Sequence, residues 1–124
     1  MHPIKSDQDG IVAIVDDDPA ILDSLKFLLE LFGHKVETYG SAAALLDNLE
    51  HLRVCGIILD HHMPQMTGLE LVARLRAQNA DIPVLLITGS SSPAIAERAA
   101  QLGITMLEKP PEERDLLAFL STHC

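Results

Sequence analysis

A doubly wound α/β fold, with five parallel strands and helices on both faces of the sheet, is predicted by two features. Short apolar runs alternate with helix-period segments along nearly the whole chain, and polar residues stand where most of those runs stop. Right-handed crossovers leave few ways to connect such a series, and a doubly wound sheet is the simplest.

The first run, Ile-Val-Ala-Ile-Val over residues 11–15, has the unbroken apolar character of a strand covered on both faces. It stops at Asp16, Asp17 and Asp18. Asp18 followed by Pro19 reads as a helix cap and first-turn pair, because proline needs no amide partner there and the carboxylate can accept one. Ile21, Leu22, Leu25, Leu28, Leu29 and Phe32 then recur at helical spacing, and Gly33 ends the segment. Val36 to Tyr39 is the second strand. Ser41 caps a second helix running to about Leu49, with Ala44, Leu45 and Leu49 on its apolar face.

Val54 to Leu59 forms the third strand and leads into Asp60. A loop with Pro64 and Gly68 follows, and Leu69, Leu71, Val72 and Leu75 supply the inward side of a third helix. Pro83 to Ile87 is the fourth strand, closed by Thr88 and Gly89. The fourth helix starts near Pro93 and runs to Leu102, where Gly103 terminates it. Ile104 to Leu107 is the fifth strand, and Glu112 to Leu120 a short last helix.

With 124 residues, 48% of them hydrophobic, the chain can bury one core but has no length for a second. The expected organisation is a flexible extension over 1–10, a domain over 11–122 and a terminal end at 123–124, and the short final helix suggests a domain cut from a longer protein. A formal net charge of −9 argues against this chain itself gripping DNA or an anionic membrane. No apolar stretch approaches the roughly 20 residues that span a bilayer, and Met1 to Gly10 has no secretion-signal pattern, so the cytoplasm is the default compartment. Cys55 and Cys124 give neither a disulfide framework nor a zinc spacing. Cys55 reads as a small buried hydrophobe, and Cys124 as an exposed thiol open to adventitious disulfides between chains.

In an open parallel sheet the ligand site lies beyond the carboxyl ends of the strands, where their order reverses. Asp16, Asp17, Asp60, Thr88 and Lys109 all stand at or just after predicted strand ends, so they should converge on one rim. Three carboxylates held together repel one another unless a counter-charge is present. A hard divalent cation removes the conflict, and Mg²⁺ fits best, with Mn²⁺ as an alternative, because it takes a few oxygen ligands and retains waters. Lys109 adds a mobile positive charge. The set suits attack of the Asp60 carboxylate on phosphorus while the surrounding oxygens are neutralised. Asp16 and Asp17 would hold the metal with Asp60 as a further ligand, and Lys109 and the Thr88 hydroxyl would receive phosphoryl oxygens, helped by the Gly89 amide region. Water can later attack the same centre, so the modification is expected to be temporary.

The chain resembles the receiver domains of bacterial two-component response regulators, the CheY-like family. The resemblance covers about residues 11 to 120. It rests on Val15-Asp16-Asp17-Asp18-Pro19, Leu59-Asp60-His61-His62-Met63-Pro64 with Gly68, Ile87-Thr88-Gly89 and Glu108-Lys109-Pro110. The last two motifs are most similar to receivers of the FixJ and NarL type, whose full-length proteins usually attach a DNA-binding domain.

The resemblance implies a strand order of 2-1-3-4-5 and phosphorylation of Asp60 by a sensor histidine kinase or phosphotransfer protein. It also implies a metal ligand in the backbone carbonyl of His62, a cis bond between Lys109 and Pro110, and output or homodimer contacts through the fourth helix, fifth strand and fifth helix. The family's switch pairs its threonine, matched by Thr88, with an aromatic on the fifth strand, where this chain has Met106. The aromatic that commonly follows the Lys-Pro pair is replaced by Pro111.

Blander readings stand beside these. An acidic run after a strand is often a solvated loop or a cap, and Asp18 reads as one. Asp60 alone can be a turn former, Thr88 a turn donor and Lys109 a surface charge; their joint placement favours the site. His61 and His62 invite a transition-metal reading, but no further histidine or cysteine stands at a helpful spacing. They are expected on the rim of the pocket, with His62 influencing the lifetime of the phosphate. Met63, Met66 and Met106 read as packing residues. Two competing functions are a degenerate receiver that binds partners without phosphorylation, and an aspartyl-phosphate hydrolase. The latter would need a substrate pocket and an acid for turnover that the short loops do not offer.

Overall fold

Each parallel pairing needs a crossover, and the five helical segments supply four of these and a final covering layer. The computed structural model describes residues 10–78, 80–89 and 92–124. The expected flexible extension lies, except for Gly10, outside the described residues. The strands are β1 (Ile11–Val15), β2 (Lys35–Tyr39), β3 (Val54–Asp60), β4 (Val84–Thr88) and β5 (Thr105–Glu108). All pairings are parallel, in the order β2-β1-β3-β4-β5. The helices are α1 (Pro19–Leu31), α2 (Ala42–Asn48), α3 (Gly68–Ala77), α4 (Pro93–Gln101) and α5 (Glu113–His123), with a 3₁₀ turn at Leu49–His51.

Two apolar layers result. On one face of the sheet, Val12, Ile14, Ile58, Leu85 and Ile87 pack with Leu22 and Leu29 of α1 and Leu116, Phe119 and Leu120 of α5. On the other, Ala13, Val15, Ile57, Leu59 and Leu86 pack with Leu45 of α2 and Leu71, Val72 and Leu75 of α3. The all-apolar run of β1 is explained by this double cover: all five residues are buried.

The expected caps are in place. Asp18 accepts a hydrogen bond from the Ala20 amide, with Pro19 opening α1, and Ser41 accepts one from Ala44. Thr67 and Glu70 form a reciprocal capping box at α3. Gly33 and Gly103 end α1 and α4 with φ of +89° and +70°, a region open to glycine at little cost.

Four expectations need correction. β4 and β5 each lie one residue later than their apolar runs suggest, because backbone pairing continues past the apolar stretch: Thr88 pairs with Glu108, and the Lys109 amide donates to the Thr88 carbonyl at 2.9 Å. Phe32 is 53% exposed instead of facing the core, since it occupies the cap of α1, where the chain is already leaving the helix. The last helix is not short: α5 extends to His123, with Phe119 and Leu120 buried and the hydroxyls of Ser121 and Thr122 donating to the Ala118 carbonyl.

The cysteines are the largest departure. Cys55 and Cys124 are disulfide-bonded to each other, with Cα atoms 5.4 Å apart, and neither thiol is free. Sequence spacing concealed this because 69 positions separate them; the packing of α5 against β3 brings them together.

Gly68, the first residue of α3, is enclosed. A Cβ there would sit 2.6 Å from Leu86 Cδ1 and 2.9 Å from the Asp60 carbonyl oxygen, and the backbone cannot yield as a side-chain tip can. Gly68→Ala is therefore expected to destabilise the fold by about 1–3 kcal/mol, read as a lower urea midpoint at unchanged slope; an unchanged midpoint would show that the α3 start moves freely.

Candidate functional site

Residues far apart in sequence meet at the carboxyl end of the sheet because pairing carries each strand to the same height. β1 runs on by one residue, the Asp16 amide donating to the Tyr39 carbonyl at 3.1 Å. β3 ends at Asp60, paired with Ile87, and the His61 amide continues the ladder onto the Ile87 carbonyl at 2.9 Å. The strand order reverses between β1 and β3, so the crevice opens beside these two strand ends.

Asp16 and Asp60 are each 5% exposed, while Asp17 is exposed. One oxygen from each of the three carboxylates lies within 4.8 Å of the others, an arrangement able to hold a divalent metal ion. The donor set is entirely oxygen, which suits a hard cation. Asp16 Oδ1 also accepts the Asp18 amide at 2.9 Å, which fixes its orientation. Lys109 reaches in from the far side of β4, its Nζ 2.9 Å from Asp60 Oδ1. The bond between Lys109 and Pro110 is cis, as the resemblance implied.

The electrostatics show unresolved crowding. Burial pushes the Asp16 carboxyl above its ordinary range, and the charges of Asp60 and Asp17 push the same way, against the Asp18 hydrogen bond and Lys109. Burial alone would lower the Lys109 pKa. The hydrogen bond to Asp60 and the charges of Asp60, Asp16 and Asp17 outweigh it and hold that pKa above the ordinary value.

Thr88 is wholly buried, and its Oγ1 lies 3.3 Å from His62 Nε2. His62 is the exposed rim residue that was expected, but the bond to Thr88 was not legible, since 26 positions separate the two. His61 is not on the rim: it is 8% exposed, and its buried Nδ1 has no hydrogen-bond partner among the described residues. Its pKa is lowered, first by burial and then by His62, against the opposing pull of Asp60 and Glu70. Met106 is half-buried and packs with the α2–α3 layer, as do Met63 and Met66.

Beside Asp60 a cavity of about 270 Å³ opens, lined by Ile21, Ser24 and Leu25 of α1 and by Lys109, Pro110 and Pro111 of the connection to α5. Pro111 thus takes part in the site's surroundings, which sequence reading registered only as a missing aromatic.

A parallel sheet whose switch point gathers three carboxylates and a lysine defines a class of phosphoryl-accepting signalling domain, and comparison with known proteins agrees. The family model for the response regulator receiver domain matches residues 12–121. The chain is 38% identical over 114 residues to the transcriptional regulatory protein FixJ of Bradyrhizobium diazoefficiens, covering 91% of this chain and 56% of that protein. It is 36% identical over 118 residues to the response regulator protein TmoT of Ectopseudomonas mendocina, covering 94% and 54%. Among solved structures, FixJ-N superposes with a TM-score of 0.82 at 33% identity, covering 94% of this chain and 97% of that one. The Vibrio cholerae chemotaxis protein CheY4 superposes with a TM-score of 0.84 at 31% identity, covering 94% and 99%. The chain belongs to the response regulator receiver domain family, and it spans about half the length of the curated relatives it matches. Among the described residues, no helix is long and apolar enough to cross a membrane.

The raised Asp16 pKa has a consequence for stability. A carboxyl that holds its proton more tightly folded than unfolded makes stability fall as pH rises from about 3.8 through the raised pKa, and the penalty persists above it. Asp16→Asn keeps the acceptor for the Asp18 amide and removes the charge. In chelator at pH 7 it should be more stable than the parent by on the order of 1 kcal/mol, with the gap closing toward acid pH. A variant that is less stable at pH 7 would mean that the cluster is not strained.

Proposed function

We propose that Asp60 accepts a phosphoryl group from the phosphohistidine of a sensor histidine kinase or phosphotransfer protein and relays its charge to an output. The observation that carries this reading is the Lys109–Asp60 ion pair at 2.9 Å, set beside three carboxylate oxygens within 4.8 Å of one another. Lys109 holds one Asp60 oxygen and leaves the carboxylate oriented for the other to attack phosphorus. As the new bond to Asp60 forms, the phosphorus–nitrogen bond of the donor breaks, and the imidazole leaves. Lys109 and the Thr88 hydroxyl then take phosphoryl oxygens, which draws Thr88 away from His62.

Asp16, Asp17 and Asp60, with the His62 carbonyl, are the groups that would hold Mg²⁺, or Mn²⁺ in its place. When bound, the ion supplies charge neutralisation to the crowded oxygens. Burial, with the charges of Asp60 and Asp17, makes the Asp16 carboxylate costly to ionise, and a bound cation would offset that cost.

The partly apolar cavity between α1 and Pro110-Pro111 adjoins the acceptor and offers an apolar side chain of the phosphodonor a seat. Output is assigned to the face of α4, β5 and α5, including any homodimer, with Thr88 and Met106 as the moving parts. Methionine replaces the usual aromatic and can repack without ring rotation. We assign residues 11–122 to the receiver in the cytoplasm, and a transcriptional output to sequence beyond the portion that matches FixJ and TmoT.

Incubation with Mg²⁺ and acetyl phosphate followed by intact mass tests the central claim. The wild type should gain one phosphoryl group and Asp60→Asn none; a wild type without gain would indicate a phosphorylation-independent binding module. A second outcome concerns lifetime. His62 stands over the pocket and holds Thr88, so His62→Asn, with its smaller amide, is expected to admit water and lose the phosphoryl group several-fold faster. Equal dephosphorylation rates would remove His62 from the mechanism.

A further inference from the structure

Cys55 and Cys124 take no part in the phosphoacceptor site, yet the fold brings them together by more than one device. The pairing of β3 with β1 shifts register between Ile11 and Val12: Ile11 stands opposite Val54 and Val12 opposite Gly56, so Cys55 is left as the extra residue of a bulge. A bulge re-aims a side chain that strict alternation would send to the other face. Here it places Cys55 in the layer occupied by α1 and α5, where both cysteines pack against the core.

Gly56 completes the approach. A Cβ at that position would lie 3.1 Å from Phe119 Cε2, close enough that the ring would have to give by a few tenths of an ångström, and 3.6 Å from Cys124 Sγ, an ordinary contact, so Gly56 lets α5 pack closely on the strand. The Cys55 sulfur also lies 3.5 Å from the Ile11 carbonyl oxygen, an acceptor ready for its proton in the thiol form.

The position of this pair matters because of what the two elements carry. β3 runs from Cys55 to Asp60, and α5 follows directly on Lys109 and its prolines. The Lys109–Asp60 ion pair joins them at one end of the sheet, and the cysteines join them at the other. Oxidation therefore closes a ring through the acceptor, β3, α5 and the lysine. Reduction removes that covalent tie at the far end of α5.

We propose that Cys55 and Cys124 are a reversible thiol–disulfide site for low-molecular-weight disulfides of the glutathione class, which fastens the end of α5 to β3 when oxidised and releases it when reduced. One cysteine thiolate attacks a sulfur of oxidised glutathione and displaces one glutathione thiolate. The second cysteine attacks the mixed disulfide and displaces the other. The protein thus loses two electrons and two protons, and one glutathione disulfide becomes two glutathiones. In a reducing cytoplasm a disulfide is regulatory or transient more often than structural, so reversibility rests on the cytoplasmic placement proposed above. The effect on output rests on the phosphoacceptor reading.

The test uses the full chain, unphosphorylated, in glutathione buffers from strongly reducing to strongly oxidising. Free thiols are trapped by alkylation, intact mass is recorded, and hydrogen exchange is followed in the last turn of α5. The expected result is a monomer that takes two alkyl groups in reducing buffer and none in oxidising buffer. Its α5 end should exchange on the order of ten-fold more slowly when oxidised. C55S and C124S should each lack this difference while showing the wild-type reduced exchange pattern elsewhere. The proposal is overturned if the bond survives reducing glutathione, if only interchain or mixed disulfides form, or if α5 exchanges equally in both states. None of these readouts involves phosphorylation, and acetyl phosphate labelling of both redox forms separately reports whether Asp60 accepts phosphorus.

Discussion

Negative charge gathered at the ends of β1 and β3 is the constraint on which the rest of this molecule turns. Asp16 and Asp60 are almost fully buried, and their oxygens share a small volume with those of Asp17. An isolated carboxylate at such a depth would protonate or be expelled into water. What keeps the cluster together is Lys109, whose ammonium reaches Asp60 and whose own pKa is held up by the three acids. Burial first, and then the charges of Asp60 and Asp17, still hold the Asp16 pKa above its ordinary range, and the three carboxylate oxygens lie close enough together to hold a further cation.

The fold serves this arrangement by rigid means. Each functional side chain sits at or one residue beyond a strand end, so its position is set by ladder hydrogen bonds and by the apolar layers beneath. Ile58 and Leu59 under Asp60, and Val15 before Asp16, are buried without exception. The enclosed Gly68 lets α3 begin directly against the Asp60 carbonyl and the His61 backbone, which holds the loop with His61 buried and His62 exposed on the rim. Thr88 is then the movable element, bound to an exposed histidine that a phosphoryl oxygen can replace.

The α1–α5 face unites the themes. It holds the cavity next to the acceptor at one end and the cysteine pair at the other, with α5 covalently continuous with Lys109. With the cysteine pair oxidised, α5 is tied covalently to β3 at one end and through Lys109 and Asp60 at the other. The same covering layer that buries the core thus lies between acceptor chemistry and output.

Much of this was legible in the residues themselves. Apolar runs and caps carry the local physics of parallel strands and helix starts, so all ten elements and the convergence of Asp16, Asp17, Asp60, Thr88 and Lys109 could be read from patterning and from the rule that parallel sheets bind ligands at their carboxyl ends. Pairing past the apolar runs, the exposure of Phe32 and the full length of α5 could not, because backbone ladders and helix ends continue through polar residues when neighbours hold them. Three features belonged to tertiary structure alone: the burial of His61, the His62–Thr88 contact and the Cys55–Cys124 bond. Each joins a residue to surroundings distant in sequence, and the last depends on a one-residue bulge that reverses which face Cys55 occupies. Periodicity specifies which elements form and which residues end them; only their packing decides which side chains from different elements come within reach.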